Sequence, residues 1–178
     1  VGEYEYSTLD LLNKLVSTCT FQNSFILGAG EGYYGVGLLT KKYSDFAFFF
    51  EANESSRLSI LGNLKANNLE GNYELFGTVD TELLTSELDK IANSKELRNN
   101  LIICDIEGGE YSLFDIEVLH RLKILNFTLI IELHEFSLNQ KNSAKFLIDR
   151  IDLFFNYSIY GEFHTTFNLE NSMLPILS

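Results

Sequence analysis

Short, uninterrupted apolar runs alternate with segments of helical periodicity from one end of this sequence to the other. Phe25-Ile26-Leu27, Phe46-Ala47-Phe48-Phe49-Phe50 and Leu101-Ile102-Ile103-Cys104 contain no polar position. Runs that brief and that continuous predict strands covered on both faces, the condition of a parallel sheet. Further strands are expected at about 73–79 and 127–133, and the strand at 101 is expected to run to about 106. The tail from Tyr157 through Leu169 alternates as a closing antiparallel pair would. Helices are predicted between them. Ser7 to Val16 carries Leu9, Leu12, Leu15 and Val16 at helical spacing, with Ser7 or Thr8 as cap. Tyr33 to Lys42 follows, then Ser55 to Asn67 with Leu58, Leu61 and Leu64 every third residue. Thr81 to Asn93, Tyr111 to Arg121 and Asn142 to Phe155 complete the set. Strands alternating with helices predict a doubly wound, mostly parallel sheet with right-handed crossovers.

At 178 residues the chain suffices for one domain with a full core, burying roughly 70% of the surface of the unfolded chain. A single unit over 1–178 is expected: an N-terminal helical segment over 1–20, a core over 25–135, and a closing helix and strand pair over 136–178. The net charge of −12, from 25 acidic and 13 basic residues, argues against a nucleic-acid partner, since Lys and Arg are scattered and form no stripe. A cationic cofactor or a small-molecule substrate faces no such repulsion. Cys19 and Cys104 are the two cysteines; Cys104, inside an apolar run, reads as a buried inert thiol, and the count fits a reducing cytoplasmic setting. No stretch approaches the roughly 18 apolar residues of a membrane span, and no secretory leader opens the sequence.

The chemistry concentrates at predicted strand ends. Gly28-Ala29-Gly30-Glu31-Gly32 follows the first strand and opens a helix, so its backbone can turn tightly, approach a ligand closely and present helix N-terminal N–H groups to it. Glu51 ends the second strand about 20 positions on, the separation at which an acid reaches ribose hydroxyls. Asp105-Ile106-Glu107-Gly108-Gly109-Glu110 follows the fourth strand. Asp105 and Glu107, two apart, would share one strand face. Glu132 and His134 have the same spacing at the end of the fifth. If those strands are neighbours, the acids and the imidazole suit a general base at His134 or a hard cation held by the carboxylates; no metal is assigned from the sequence. The plainer alternative is solvated strand ends, with Glu107 or Glu110 capping the next helix. Asp80 follows the third strand, where it either approaches an adenine ring or caps a helix, the cap being favoured. Tyr33 and Tyr34 read as packing residues, one of which can cover a bound cofactor. His120 and His164 read as ordinary residues.

In this order these segments resemble a class I S-adenosylmethionine-dependent methyltransferase, and more closely the FkbM-like group. The resemblance is carried by Leu27 to Tyr34, Phe50-Glu51-Ala52-Asn53, Asn63 to Leu69, Asp105 to Glu110 and Ile130 to His134. It implies a Rossmann-like sheet of about seven strands with the last antiparallel. It implies S-adenosyl-L-methionine as cofactor, held by Gly28, Ala29, Gly30, Gly32, Tyr33, Glu51, Ala52, Asp80 and Asp105. Asp105, Glu107 and His134 would flank methyl transfer to the oxygen of a small hydroxylated acceptor such as a sugar or secondary metabolite. One departure stands out: many relatives place an acid two residues before the first turn glycine, and here that residue is Ile26.

Two other readings compete. Gly30-Glu31-Gly32-Tyr33-Tyr34-Gly35 fits G-x-G-x-x-G, the turn of an NAD-dependent oxidoreductase. Its register is wrong, because a strand ending near Leu27 starts the tight turn at Gly28. The missing acid at Ile26 motivates the other, a catalytically degenerate Rossmann-like binding module.

Overall fold

The computed structural model describes residues 6–93, 98–134, 138–160 and 165–170. Its elements, in chain order, are α1 (Tyr6–Thr18), β1 (Phe21–Leu27), α2 (Tyr33–Thr40), β2 (Ser44–Phe50), α3 (Glu54–Ala66), β3 (Tyr73–Phe76), α4 (Thr81–Ala92), β4 (Asn100–Cys104), α5 (Glu110–Leu113), α6 (Ile116–Ile124), β5 (Phe127–Leu133), α7 (Leu138–Asp152), β6 (Asn156–Tyr160) and β7 (Thr165–Glu170). The fold is α/β and Rossmann-like, with β3-β2-β1-β4-β5 as a parallel core. β7 pairs antiparallel with β5, and β6 antiparallel with β7.

Successive strand side chains point to opposite faces, and two separate apolar layers result. Phe25, Leu27, Phe48, Phe50, Ile102, Leu129 and Ile131 pack with Leu84 and Leu88 of α4, Val118, Leu119 and Leu122 of α6, and Leu147 and Ile151 of α7. Ile26, Ala47, Phe49, Leu101, Ile103 and Ile130 pack on the other side with residues of α1, α2 and α3. Helices on both faces explain the unbroken apolar runs. Aromatic rings fill the first layer: Phe25 stacks on Phe48 with centroids 4.3 Å apart and meets Phe127 edge-on at 5.4 Å, arrangements that add to simple burial.

Several boundaries differ from the sequence reading for identifiable reasons. β1 begins at Phe21, four residues before the expected start, because its polar residues are paired inside the sheet: Asn23 Nδ2 donates to Asn100 Oδ1 at 2.9 Å, and Ser24 Oγ to the Phe46 carbonyl at 3.3 Å. On α3 the buried positions are Ile60 and Leu64, while Leu58 and Leu61 are 64% and 39% exposed; the i, i+4 pair faces the sheet and the three-residue repeat does not. The helix expected over 111–121 is two helices, broken where Phe114 enters the core and Asp115 caps α6 by accepting from the Val118 N–H at 2.8 Å. Among the described residues no helix is long and apolar enough to cross a membrane.

Candidate active site

The glycine turn is fixed by the strands it connects. The Gly28 and Ala29 N–H groups donate to the Phe50 carbonyl at 2.9 and 3.0 Å, and the Asp105 N–H donates to the Leu27 carbonyl at 2.9 Å, so the ends of β1, β2 and β4 are bound together. Gly28 has φ +76°, and a Cβ there would lie 1.8 Å from the Asp105 carbonyl oxygen. No side chain fits in that gap. Gly32, at φ +89°, is the N-cap of α2. The Glu51 carboxylate accepts from the Gly30 N–H and from the Asn53 N–H, both at 2.7 Å, joining the turn to the β2–α3 loop. Each carboxylate oxygen has two acceptor positions, so these bonds are compatible with Glu51 also receiving ribose hydroxyls.

β4 ends at Cys104, and neither Asp105 nor Glu107 is on the strand. The shared strand face expected for them is therefore not what brings them together. A left-handed turn does so, with Glu107 at φ +52° and Gly108 at φ +93°. Glu110, which the sequence reading offered only as a helix cap, is fully buried; its carboxylate accepts from the Gly108 N–H at 2.8 Å and from the His134 N–H at 2.9 Å. It thus locks the acidic loop to the end of β5. Tyr111 adds a second tie, its hydroxyl donating to the His134 carbonyl at 2.8 Å.

β4 and β5 are neighbours, as the site requires. His134 is 9% exposed, with Nε2 3.3 Å from Asp105 Oδ1 and 3.9 Å from both Glu107 Oε2 and Glu132 Oε1. Beside this cluster Cys104 is buried in the sheet. Burial pushes its thiol pKa well above the ordinary value, with Glu110 and Asp105 raising it further, so no thiolate is available for chemistry.

Gly28, Gly30, Glu51, Ala52, Asp105 and Glu107 line one cleft of about 370 Å³, with Phe50, Thr78, Val79, Ile106 and Gly109 completing its wall. Residues far apart in sequence thus meet outside the carboxyl ends of β1, β2 and β4, where β1 separates the two directions of winding, the usual ligand position in such sheets. Thr78 and Val79 went unnoticed in the sequence, although they follow β3 on the same rim. The other expected contacts lie elsewhere. Ala29 is buried beneath the turn, and Tyr33, 63% exposed, lines a groove against α1. Asp80 caps α4, accepting from the Leu83 N–H at 2.8 Å. His120 packs on Phe154, and His164 lies outside the described residues. A second depression of about 450 Å³ between α4 and α6 is lined by Glu82, Asp89, Asp115 and Glu117; Arg121 already pairs there with Asp89 and Glu117.

No protein-family model matches the chain, and no curated protein matches it. Solved structures do. A Streptococcus mutans protein assigned as a methyltransferase and determined with S-adenosylhomocysteine is 13% identical, with a TM-score of 0.64 over 90% of this chain and 97% of that one. A Streptococcus pneumoniae protein assigned as a tRNA methyltransferase, determined with S-adenosyl-L-methionine, is 16% identical, with a TM-score of 0.58 over 96% and 74%. A precorrin 8W decarboxylase from Methanobacterium thermoautotrophicum is 14% identical, with a TM-score of 0.59 over 96% and 92%. At these identities the likeness establishes the shared Rossmann-like fold.

Proposed function

We propose that this chain is an S-adenosyl-L-methionine-dependent methyltransferase of the FkbM-like group, acting as one domain that methylates an oxygen of a small hydroxylated molecule and not a nucleic acid. One observation carries the reading: Gly28, Glu51 and Asp105 line a single cleft beside the His134 cluster. Two structural neighbours determined with the cofactor or its product support it, as does a seven-stranded sheet whose last strand runs antiparallel, the arrangement the resemblance implies.

In this reading the glycine turn accepts the methionine portion of the cofactor and Glu51 the ribose. Glu51, Asp105 and Glu107 place negative charge on the cleft wall, which favours a sulfonium over its neutral thioether product. Methyl transfer then needs in-line positioning and a base. The acceptor O–H bond breaks with its proton passing to His134 Nε2, where Asp105 at 3.3 Å stabilises the imidazolium. The oxygen pair forms the bond to the methyl carbon as the carbon–sulfur bond breaks, leaving S-adenosylhomocysteine. Ile26 is buried in β1, so the acid that relatives place there has no counterpart.

One observation favours the nicotinamide alternative. A Cβ on Gly35 would lie 2.3 Å from Phe49 Cε1, so Gly35 does serve the close helix–strand packing of a third motif glycine. Calorimetric titration with S-adenosyl-L-methionine, S-adenosylhomocysteine and NAD separates the readings. The first two bind and NAD does not, on this proposal. NAD binding alone would select the oxidoreductase reading, and no binding would favour the degenerate module.

A further inference from the structure

We infer that Asp105, Glu107 and His134 form a binding site for one first-row divalent metal ion at the edge of the cleft. One ligand atom from each lies within 4.8 Å of the others, a span that a single ion coordinated at about 2.0 to 2.2 Å draws together with small side-chain rotations. The buried imidazole directs Nε2 at these acids and at Glu132. Its other nitrogen, Nδ1, faces the opposite way, 3.7 Å from Oε1 of Glu110. That carboxylate is itself fully buried and held by two backbone N–H groups. A buried carboxylate behind the ring and acidic side chains in front of it follow the order of groups around a metal-bound imidazole.

Charge points the same way. Asp105, Glu107, Glu132 and Glu110 surround one imidazole, and a single imidazolium offsets only one of those charges, whereas a dication offsets two. The donor set of one imidazole nitrogen with carboxylate oxygens suits manganese or zinc better than magnesium, which prefers oxygen alone. The site stands on these residues whatever the cleft binds, and its catalytic use rests on the methyl-transfer reading. A bound ion would supply Lewis-acid activation of the acceptor oxygen, with His134 Nε2 then held as a ligand in place of the base role it has in metal-free transfer.

The test uses manganese chloride and zinc chloride with chelator-treated protein and no nucleoside, so that its outcome is independent of the cofactor titration. Electron paramagnetic resonance should show manganese uptake at one ion per chain, displaced by zinc. His134→Ala and Glu107→Gln should each weaken uptake tenfold or more, while Glu82→Gln in the α4–α6 depression leaves it unchanged. Glu107 is exposed, so its variant is expected to fold, and circular dichroism verifies both. Failure of either metal to bind at about 1 mM, the weak end of specific cation sites, would overturn the inference. So would uptake that both cluster variants retain.

Discussion

Gly28 and Gly30 both have positive φ, yet they face different surroundings, and the difference has a measurable consequence. At Gly28 an added Cβ meets the Asp105 carbonyl oxygen at 1.8 Å; at Gly30 it meets nothing within 4 Å. Gly30→Ala should therefore cost only the left-handed backbone term, about 1 kcal/mol. Gly28→Ala must also push β1 from β4, and should cost more than about 3 kcal/mol. Urea unfolding midpoints measure both, and equal midpoints would contradict the close approach. Cys104 offers a test in pH. Its folded pKa is raised by burial and then by Glu110 and Asp105, so the folded state holds the proton longer than the unfolded chain. The associated stability is complete below about pH 8.5 and is lost as pH rises towards the folded value, by about 1.4 kcal/mol per pH unit for one proton. Urea titrations above pH 8.5 should show a shallower decline for Cys104→Ala than for the parent, and parallel declines would refute the assignment.

Capping decides between structural and ligand roles for single acids. Asp80 accepts from the Leu83 N–H and is not on the cleft wall. Asp80→Ala should therefore lower stability by about 1 kcal/mol and leave S-adenosylhomocysteine affinity unchanged by calorimetry; a tenfold loss would place Asp80 on the adenine. The sequence foreshadowed this cap because Asp before a helical run is a local signal, as are the unbroken apolar strands. What it hid was non-local. The start of β1 looks polar until Asn100 is known to stand opposite Asn23. The stripe Leu58, Leu61 and Leu64 is as regular as the true contact pair Ile60 and Leu64, and only the sheet beneath selects between them. Glu110 could not be distinguished from its acidic neighbours, because its role depends on a backbone N–H 24 positions later.

Over the molecule, the site was legible because an open α/β sheet gathers its strand ends on one rim, so glycines and acids at successive ends of apolar runs had to converge. The acceptor was not legible, since one fold serves many chemistries. One of the structural neighbours is assigned to tRNA, so the nature of the acceptor turns on charge. Binding RNA requires cations free to neutralise phosphates, yet this chain carries 25 acids against 13 bases. Several bases already pair with carboxylates: Lys14 with Asp10, Lys90 with Glu87, Arg98 with Asp45, Arg121 with Asp89 and Glu117, and Lys145 with Asp149. At physiological ionic strength screening extends over about 8 Å, too short for distant bases to act together against the acids lining the cleft. Fluorescence anisotropy with labelled tRNA should consequently show no binding at micromolar protein, with or without S-adenosylhomocysteine. Saturable, salt-sensitive binding would instead mean that the acceptor is a nucleic acid, and the proposal of a small hydroxylated substrate would fall while the cofactor site stood.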